Sequence, residues 1–426
     1  MAERRVVLAG GGSAGHVNPL LATAAGLRAA GIEVTVLGTA EGLEADLVPA
    51  AGFDLVPIPK VPLPRRPSPA LFTFPARWRA AVAAARAAIE DSPPAGAVVG
   101  FGGYVSTPAY LAARSAGVPV VIHEQNARPG LANRLGARFA HTIALTFPGT
   151  PLRSRRHTVT VGLPLRPQIS ELIEARRRDA RAARVAGAAA LGLDPDRPIV
   201  LVTGGSLGAQ RLNETMPAAA PALLGTGAQV YHLTGRGKSA GPTGSVGSAG
   251  PTGFTGSTGS DGSDGNGGPG PDYHVAEYLV DMAQALACAD LVVCRAGAGT
   301  VAELTALGLP AIYVPLPVGN GEQRLNAADV VTAGGGVLVP DSEFTPAWVE
   351  SVVVPLLEDS AALAEMADRA ASAGVQDGAE RLTATILAIL AGSEDGADGG
   401  AGDGSEDGSG DGADGAAGEA TPGASS

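Results

Sequence analysis

A chain of 426 residues exceeds the roughly 250–300 residues at which a single hydrophobic core stops growing, so two domains are expected. Of its formal net charge of −12, nine negative charges lie in residues 393–426, which hold no Lys or Arg; the remainder carries −3 and lacks the basic surface of a nucleic-acid binder. Two cysteines, Cys288 and Cys294, have no zinc-site or disulfide spacing and point to a reduced, cytosolic setting, and the apolar run after the first two arginines is too short for a signal peptide or a spanning helix.

Strand-length apolar runs recur at Val6–Ala9, Glu33–Leu37, Asp54–Ile58, Ala97–Gly100, Pro119–His123, Thr142–Leu145 and Thr158–Gly162, with helical stretches between them. Continuous rather than alternating hydrophobicity marks strands buried on both faces, hence a parallel sheet with helices on each side. Leu172–Ala190, rich in Ala and Arg, reads as a helix between the halves. The pattern restarts at Pro198–Thr203 and continues at Gln229–Leu233, His274–Tyr278, Leu291–Cys294, Ala311–Pro315 and Val337–Val339. Gln376–Ala391 reads as a last helix that fits on either domain. The stretch Ser239–Asp272 and the tail after Ala391 are so rich in Gly, Ser, Asp and Ala that they are expected to stay unfolded, since neither buries enough apolar area to offset backbone ordering.

Two glycine-rich turns follow the first strand of each half: GGGSAGH at Gly10–His16 and GGSLGA at Gly204–Ala209. Such a turn presents bare backbone N–H groups at a helix N-terminus, where the dipole favours an anion. Gly10, Gly12 and Gly15 match the dinucleotide spacing, but the second strand ends in Leu37, Gly38 and Thr39 where an acid would bind the ribose, which argues against a nicotinamide or flavin cofactor. TGRGKS at Thr234–Ser239 lacks the first glycine of a P-loop, whose place His232 takes. CRAGAGTVAE at Cys294–Glu303 is another strand, turn and helix start, whose Glu303 is suited to accept two hydrogen bonds from a ribose diol or is an ordinary solvated first-turn acid.

GGGSAGHVNP, GTAEGLEADLVP, GFGGYVSTP, HEQN, GGSLGA, CRAGAGTVAE and GNGEQRLNA, in that order, together resemble the MurG family of N-acetylglucosaminyltransferases. The resemblance implies an α/β protein of GT-B architecture: two Rossmann-like, doubly wound parallel-sheet domains facing across a cleft. Residues 1–165 would form the acceptor- and membrane-facing domain, 166–197 a linker helix, and 198–375 the UDP-GlcNAc-binding domain with a disordered insert 239–272. A terminal helix 376–391 and a disordered acidic tail 392–426 would follow. By position, the resemblance places Ser13, Ala14, Gly15, Asn126, Arg166, Ser206, Leu279, Gly299, Thr300, Glu303 and Gln323 around UDP-GlcNAc. Ser13 and Ala14 depart from the family's usual Thr-Gly, Leu207 from its Gln, and Glu322 from a frequent Gln, which favours Gln323 as the contact to the donor sugar.

The implied reaction moves N-acetylglucosamine from UDP-GlcNAc to the polyprenyl-linked acceptor lipid I, giving lipid II with inversion. Helix N-termini at Ser206 and Thr300 would stabilise the leaving diphosphate without a metal or other cofactor. His16 is the candidate general base and Glu124 the reserve. Residues 60–79 mix Arg65 and Arg66 with Leu71, Phe72, Phe74 and Trp78, a composition suited to peripheral docking on the cytoplasmic face of the membrane. The rival readings are another GT-B UDP-sugar transferase acting on a natural product, a UDP-GlcNAc epimerase, and a non-enzymatic nucleotide sensor.

Overall fold

The computed structural model describes residues 4–61, 70–205, 209–239 and 270–395, without the side chains of 70–72 and 393–395. In chain order the first half comprises β1 (Arg5–Ala9), α1 (Ala14–Ala29), β2 (Glu33–Gly38), α2 (Leu43–Ala50), β3 (Asp54–Pro57), α3 (Ala70–Glu90), β4 (Ala95–Gly100), α4 (Gly103–Ser115), β5 (Val120–Glu124), α5 (Leu131–Gly136), β6 (Thr142–Leu145) and β7 (His157–Thr160). The second half comprises α6 (Pro167–Leu191), β8 (Ile199–Thr203), α7 (Gln210–Gly225), β9 (Gln229–Leu233), β10 (Tyr273–Ala276), α8 (Met282–Cys288), β11 (Leu291–Cys294), α9 (Ala298–Leu307), β12 (Ala311–Tyr313), α10 (Glu322–Asn326), α11 (Ala328–Thr332), β13 (Gly336–Leu338), α12 (Pro346–Glu358), α13 (Ser360–Ser372) and α14 (Gly378–Asp395).

These strands form two wholly parallel sheets, ordered β3-β2-β1-β4-β5-β6-β7 and β10-β9-β8-β11-β12-β13. Both are doubly wound, and each reverses direction beside its first strand, at β1/β4 and β8/β11. Loops leaving the carboxyl ends of the strands part at such a point and open a crevice for ligands. Every residue of β1 is buried, in line with its continuous apolar run. Val7 and Val98 face one hydrophobic layer with Tyr110 of α4, whereas Val6, Leu8 and Val99 face the other with Leu20 and Leu27 of α1. Each strand thus alternates between two cores and needs both.

α6 is two helical segments joined at Asp179 (φ −158°, ψ 94°), whose side chain accepts the Ala182 N–H at 2.9 Å and so caps the second segment. That second segment packs on α8 so closely that a Cβ on Gly187 would lie 2.5 Å from the Gln284 carbonyl oxygen. The linker helix therefore belongs mechanically to the second lobe. α14 does the opposite and returns to the first lobe. Leu382, Ile386, Ile389 and Leu390 enter the core formed by Val6, Leu8, Leu20 and Leu27, and Gly26 of α1 admits Thr383 where a Cβ would stand 2.5 Å from its Oγ1.

Several boundaries differ from those expected; α6, for one, begins at Pro167 rather than Leu172. Asp272, assigned to the insert, is anchored to the second sheet by a bidentate pair with Arg197 at 2.7 and 2.9 Å and by its carbonyl, which accepts the Val230 N–H at 2.9 Å. α14 extends to Asp395 rather than ending at Ala391. Residues 240–269 of the insert and 396–426 of the tail lie outside the described residues.

Ile386 is fully buried, and truncating such a residue costs its transfer energy plus a cavity term, about 2–5 kcal/mol. Ile386→Ala is expected to destabilise the first lobe by that amount in denaturant unfolding, although the residue lies more than 200 positions from β7 in sequence.

Candidate active site

The first glycine-rich turn leaves β1 and is held from below by a carboxylate. Glu44, in the first turn of α2, is fully buried. Its Oε2 accepts the Gly12 N–H at 3.0 Å, and its Oε1 accepts the Thr39 N–H at 3.1 Å and the Thr39 hydroxyl at 2.7 Å. Burial alone would raise its pKa, but the Gly12 and Thr39 hydrogen bonds outweigh it and hold the group below the ordinary glutamate value, hence ionised. The tight approach explains two glycines: a Cβ on Gly11 would lie 2.4 Å from Glu44 Oε1, and Gly12, at φ +84°, would meet the Tyr104 ring at 3.0 Å. The turn therefore carries no side chain before Ser13.

Ser13 is the N-cap of α1, but its hydroxyl turns to His16 Nδ1, 2.9 Å away, and makes no cap bond. The same nitrogen lies 3.1 Å from the Gly11 carbonyl oxygen. A carbonyl only accepts, so in the neutral tautomer that makes this bond Nδ1 carries the proton and Nε2 keeps its lone pair. Nε2 lies beside Gly102, where φ is +96° and a Cβ would stand 3.0 Å from it. Burial lowers the His16 pKa from 6.5, with the Gly11 bond and the Glu44 charge opposing.

In the HEQN segment His123 donates Nε2–H to the Gly162 carbonyl at 3.0 Å, and burial pushes its pKa down to about 4, so it is neutral. Glu124 is almost wholly buried. Its oxygens accept N–H groups of Asn126 (3.0 Å), Gly130 (3.0 Å) and the Asn133 side chain (2.9 Å). Burial raises its pKa against those bonds. It shapes the 124–130 loop and is not among the residues lining the cleft, whereas Gln125 and Asn126 are.

That cleft measures about 580 Å³ and lies between the lobes. Ser13, Ala14, Gly15, His16, Asn126 and Arg166 line it from one side, and Leu279, Gly299, Thr300 and Glu303 from the other. α9 starts at the N-cap Gly297, which has no side chain to satisfy the first-turn N–H groups, so the positive end of the helix opens on the cleft. Arg166 holds Glu303 in a bidentate pair, Nε to Oε1 and Nη2 to Oε2, both at 2.7 Å. Ser206 and Leu207 lie outside the described residues, as do Arg65, Arg66 and the side chains of Leu71 and Phe72. Phe74 and Trp78, one turn apart on α3, stack at 5.6 Å.

Three residues escaped the sequence reading. Glu44 stands too far past β2 to be recognised as the partner of the turn after β1. Glu322 lines the cleft, while Gln323 uses its Oε1 to accept the Leu316 N–H at 2.9 Å and is not among the lining residues. Asn326 is buried and bridges the lobes: its Oδ1 accepts the Ala127 N–H at 2.9 Å, and its Nδ2 donates to Ala296 O at 3.2 Å and Asn126 Oδ1 at 3.3 Å. It belongs to the GNGEQRLNA stretch, the only signal that marked it.

The glycosyltransferase family 28 N-terminal domain matches residues 6–145 and its C-terminal domain residues 199–382. A UDP-N-acetylglucosamine–N-acetylmuramyl-(pentapeptide) pyrophosphoryl-undecaprenol N-acetylglucosamine transferase of Bifidobacterium longum is 51% identical over 388 residues, 90% of this chain and 97% of that one. The chain belongs to the MurG family. A Leifsonia xyli relative of the same name is 52% identical over 384 residues, covering 89% and 97%. Acinetobacter baumannii MurG superposes with a TM-score of 0.67 at 27% identity, covering 90% of this chain and 99% of that one. The glycotransferase of kitacinnamycin, at 18% identity and a TM-score of 0.63 over 91% and 99%, shares the two-lobed fold. The GT-B architecture and the glycosyltransferase class inferred from the motifs are thereby established.

Replacing Glu44 with Gln puts an amide N–H against either the Gly12 or the Thr39 donors. An unmatched buried donor costs about 1–3 kcal/mol, and Glu44→Gln is expected to lose that much stability in urea unfolding at pH 7. For the wild type, the Glu44 contribution is present above the unfolded glutamate pKa and is lost as pH falls through its lowered native value.

Proposed function

We propose that the chain transfers N-acetylglucosamine from UDP-N-acetylglucosamine to the 4-hydroxyl of the N-acetylmuramyl residue of undecaprenyl-pyrophosphoryl-MurNAc-pentapeptide, lipid I, to give lipid II for peptidoglycan. The observation that carries this reading is the pairing, in one cleft, of an uncapped helix N-terminus with the His16 imidazole, whose Nδ1 is held by Ser13 and the Gly11 carbonyl. Identity of about half over nine-tenths of the chain to transferases of that name supports the substrates.

The diphosphate lies against the N–H groups of Ala298, Gly299 and Thr300, and Ser206 is the further contact that the motif assigns to it. Developing charge on the leaving UDP meets the α9 dipole, fixed before the reaction begins. Glu303 exchanges a bond to Arg166 for the ribose hydroxyls, which frees the guanidinium to face the diphosphate. These groups supply the positive charge, so no metal or other cofactor is assigned a step. Leu279 reads the uracil through its backbone, and Asn126 with Glu322 or Gln323 contacts the donor sugar. The acceptor hydroxyl attacks the anomeric carbon in line, which converts the α-linked donor to a β-linked product. Its proton passes to His16 Nε2, while the Gly11 carbonyl holds Nδ1–H and the Glu44 carboxylate favours the imidazolium that forms.

The base must be neutral, so kcat/KM rises with pH through the His16 pKa and is flat above it. Because burial lowers that pKa, the acidic limb of UDP release from UDP-GlcNAc and a short-chain lipid I analogue is expected to have its midpoint below 6.5. His16→Ala should lower kcat by about 10²–10⁴ and abolish the limb. A limb that persists in the variant removes His16 as the base, and release of UDP to water or to an aglycone instead of lipid I overturns the substrate assignment.

The acceptor is carried in a bilayer, and among the described residues no helix is long and apolar enough to cross one. The α3 region docks the enzyme peripherally on the cytoplasmic face, with Leu71, Phe72, Phe74 and Trp78 entering the interface and Arg65 and Arg66 meeting anionic headgroups. The Phe74–Trp78 stack, with both rings partly exposed on one helix face, supports this. Phe74→Ser with Trp78→Ser is expected to weaken sedimentation with phosphatidylglycerol vesicles at least tenfold at unchanged thermal stability.

A further inference from the structure

A second cavity, of about 890 Å³, opens at the opposite end of the first sheet, where Pro119, Thr142 and His157 mark the amino ends of β5, β6 and β7. Arg114, His141, Arg156 and His157 line it, and among the described residues no carboxylate does. Neither arginine has an ion-pair partner among the described residues; Arg114 instead lies over the Phe139 ring, 5.2 Å from its centroid. Burial lowers the His141 pKa, and the like charges of Arg156 and His157 add to it. The cavity is therefore a basic recess without a counter-charge among the described residues, and its chemistry suits a chain of carboxylates.

α14 forms one wall through Ala384, Thr385, Ala388 and Ile389, and Gly392 stands at its rim. The chain then runs past Asp395 into residues 396–426, which carry seven Asp and Glu and no Lys, Arg or His. We propose that this acidic segment is the intramolecular ligand of the recess lined by Arg114, His141, Arg156 and His157, and that it shields this basic surface from other polyanions. Tethering at the rim sets an effective concentration in the millimolar range, so a segment that binds only weakly as a free peptide still fills the site. Exposed charges of this kind are screened by salt, so occupancy falls as ionic strength rises.

The test uses the chain truncated after Asp395 and a fluorescent peptide of residues 396–426 followed by anisotropy. Saturable binding to the truncated chain is expected, at least tenfold weaker in 500 mM than in 20 mM NaCl and lost in Arg114→Glu with Arg156→Glu. Full-length protein should bind the peptide at least tenfold more weakly, because its own segment competes. UDP binding by calorimetry reports that the double variant is folded, and the separate variants Arg114→Gln and Arg156→Gln provide milder charge removal should it not be. Equal peptide binding by truncated and full-length chains, or by wild-type and charge-altered recesses, overturns the proposal. So does binding of phosphatidylglycerol vesicles through Arg114 and Arg156 to the same extent with and without residues 396–426, since the recess would then be open to lipid in both.

Discussion

The cleft depends on one buried carboxylate. Glu44 is fully buried, yet it stays ionised because one oxygen takes the Gly12 N–H and the other takes both donors of Thr39. It ties the loop after β2 to the loop after β1, and that tie sets where the glycine-rich turn hands over to α1. Ser13 and His16 follow within a single turn of helix, so the direction of the imidazole is inherited from Glu44. The glycines at 11 and 12 answer the same constraint, since any side chain at 11 would occupy the carboxylate's own space. A buried charge satisfied by backbone donors acts here as a rigid strut, and its removal would leave those donors unpaired.

The two lobes meet through apolar packing, with Phe147, Leu163 and Leu165 in one cluster with Val301 and Val330, and through polar contacts. Asn326 spans from α10 to the loop after β5, while Arg166, the N-cap of α6 where the chain enters the second lobe, pairs with Glu303 of α9. Arg166, Glu303 and Asn126, the partner of Asn326, line the cleft. The covalent connections work differently: α6 is locked to the second lobe through Gly187, and α14 to the first through Gly26 and Thr383. The chain crosses between lobes twice, once before α6 and once before α14.

Much of this organisation is legible in the amino-acid order. Each of the thirteen strands among the described residues lies on a run read from continuous hydrophobicity, with ends displaced by at most two residues, because a strand covered on both faces leaves no polar alternation to confuse the signal. The glycine turns were legible for a related reason: a backbone that must approach a neighbour at φ values above zero selects glycine. Harder to read were residues whose partners are distant in sequence. Glu303 looked like a free first-turn acid or a ribose ligand, and its pairing with Arg166, 137 positions earlier, belongs to no local pattern. Gln323 was preferred over Glu322 on resemblance, and loop geometry after β12 turned the two side chains in different directions.

The sequence by itself determined the two parallel sheets, the glycine-lined turns at their carboxyl ends and the family, since these follow from hydrophobic runs, steric demands on the backbone and short motifs, all of which are local. Only the tertiary structure decided that α14 closes the first lobe and that Glu124 supports a loop while Asn126 faces the cleft. It alone revealed Glu44 beneath the turn and Asn326 across the lobes. In each case the outcome depends on which distant surface or donor is left unsatisfied once the sheets are built, and burial and hydrogen bonding set that in three dimensions.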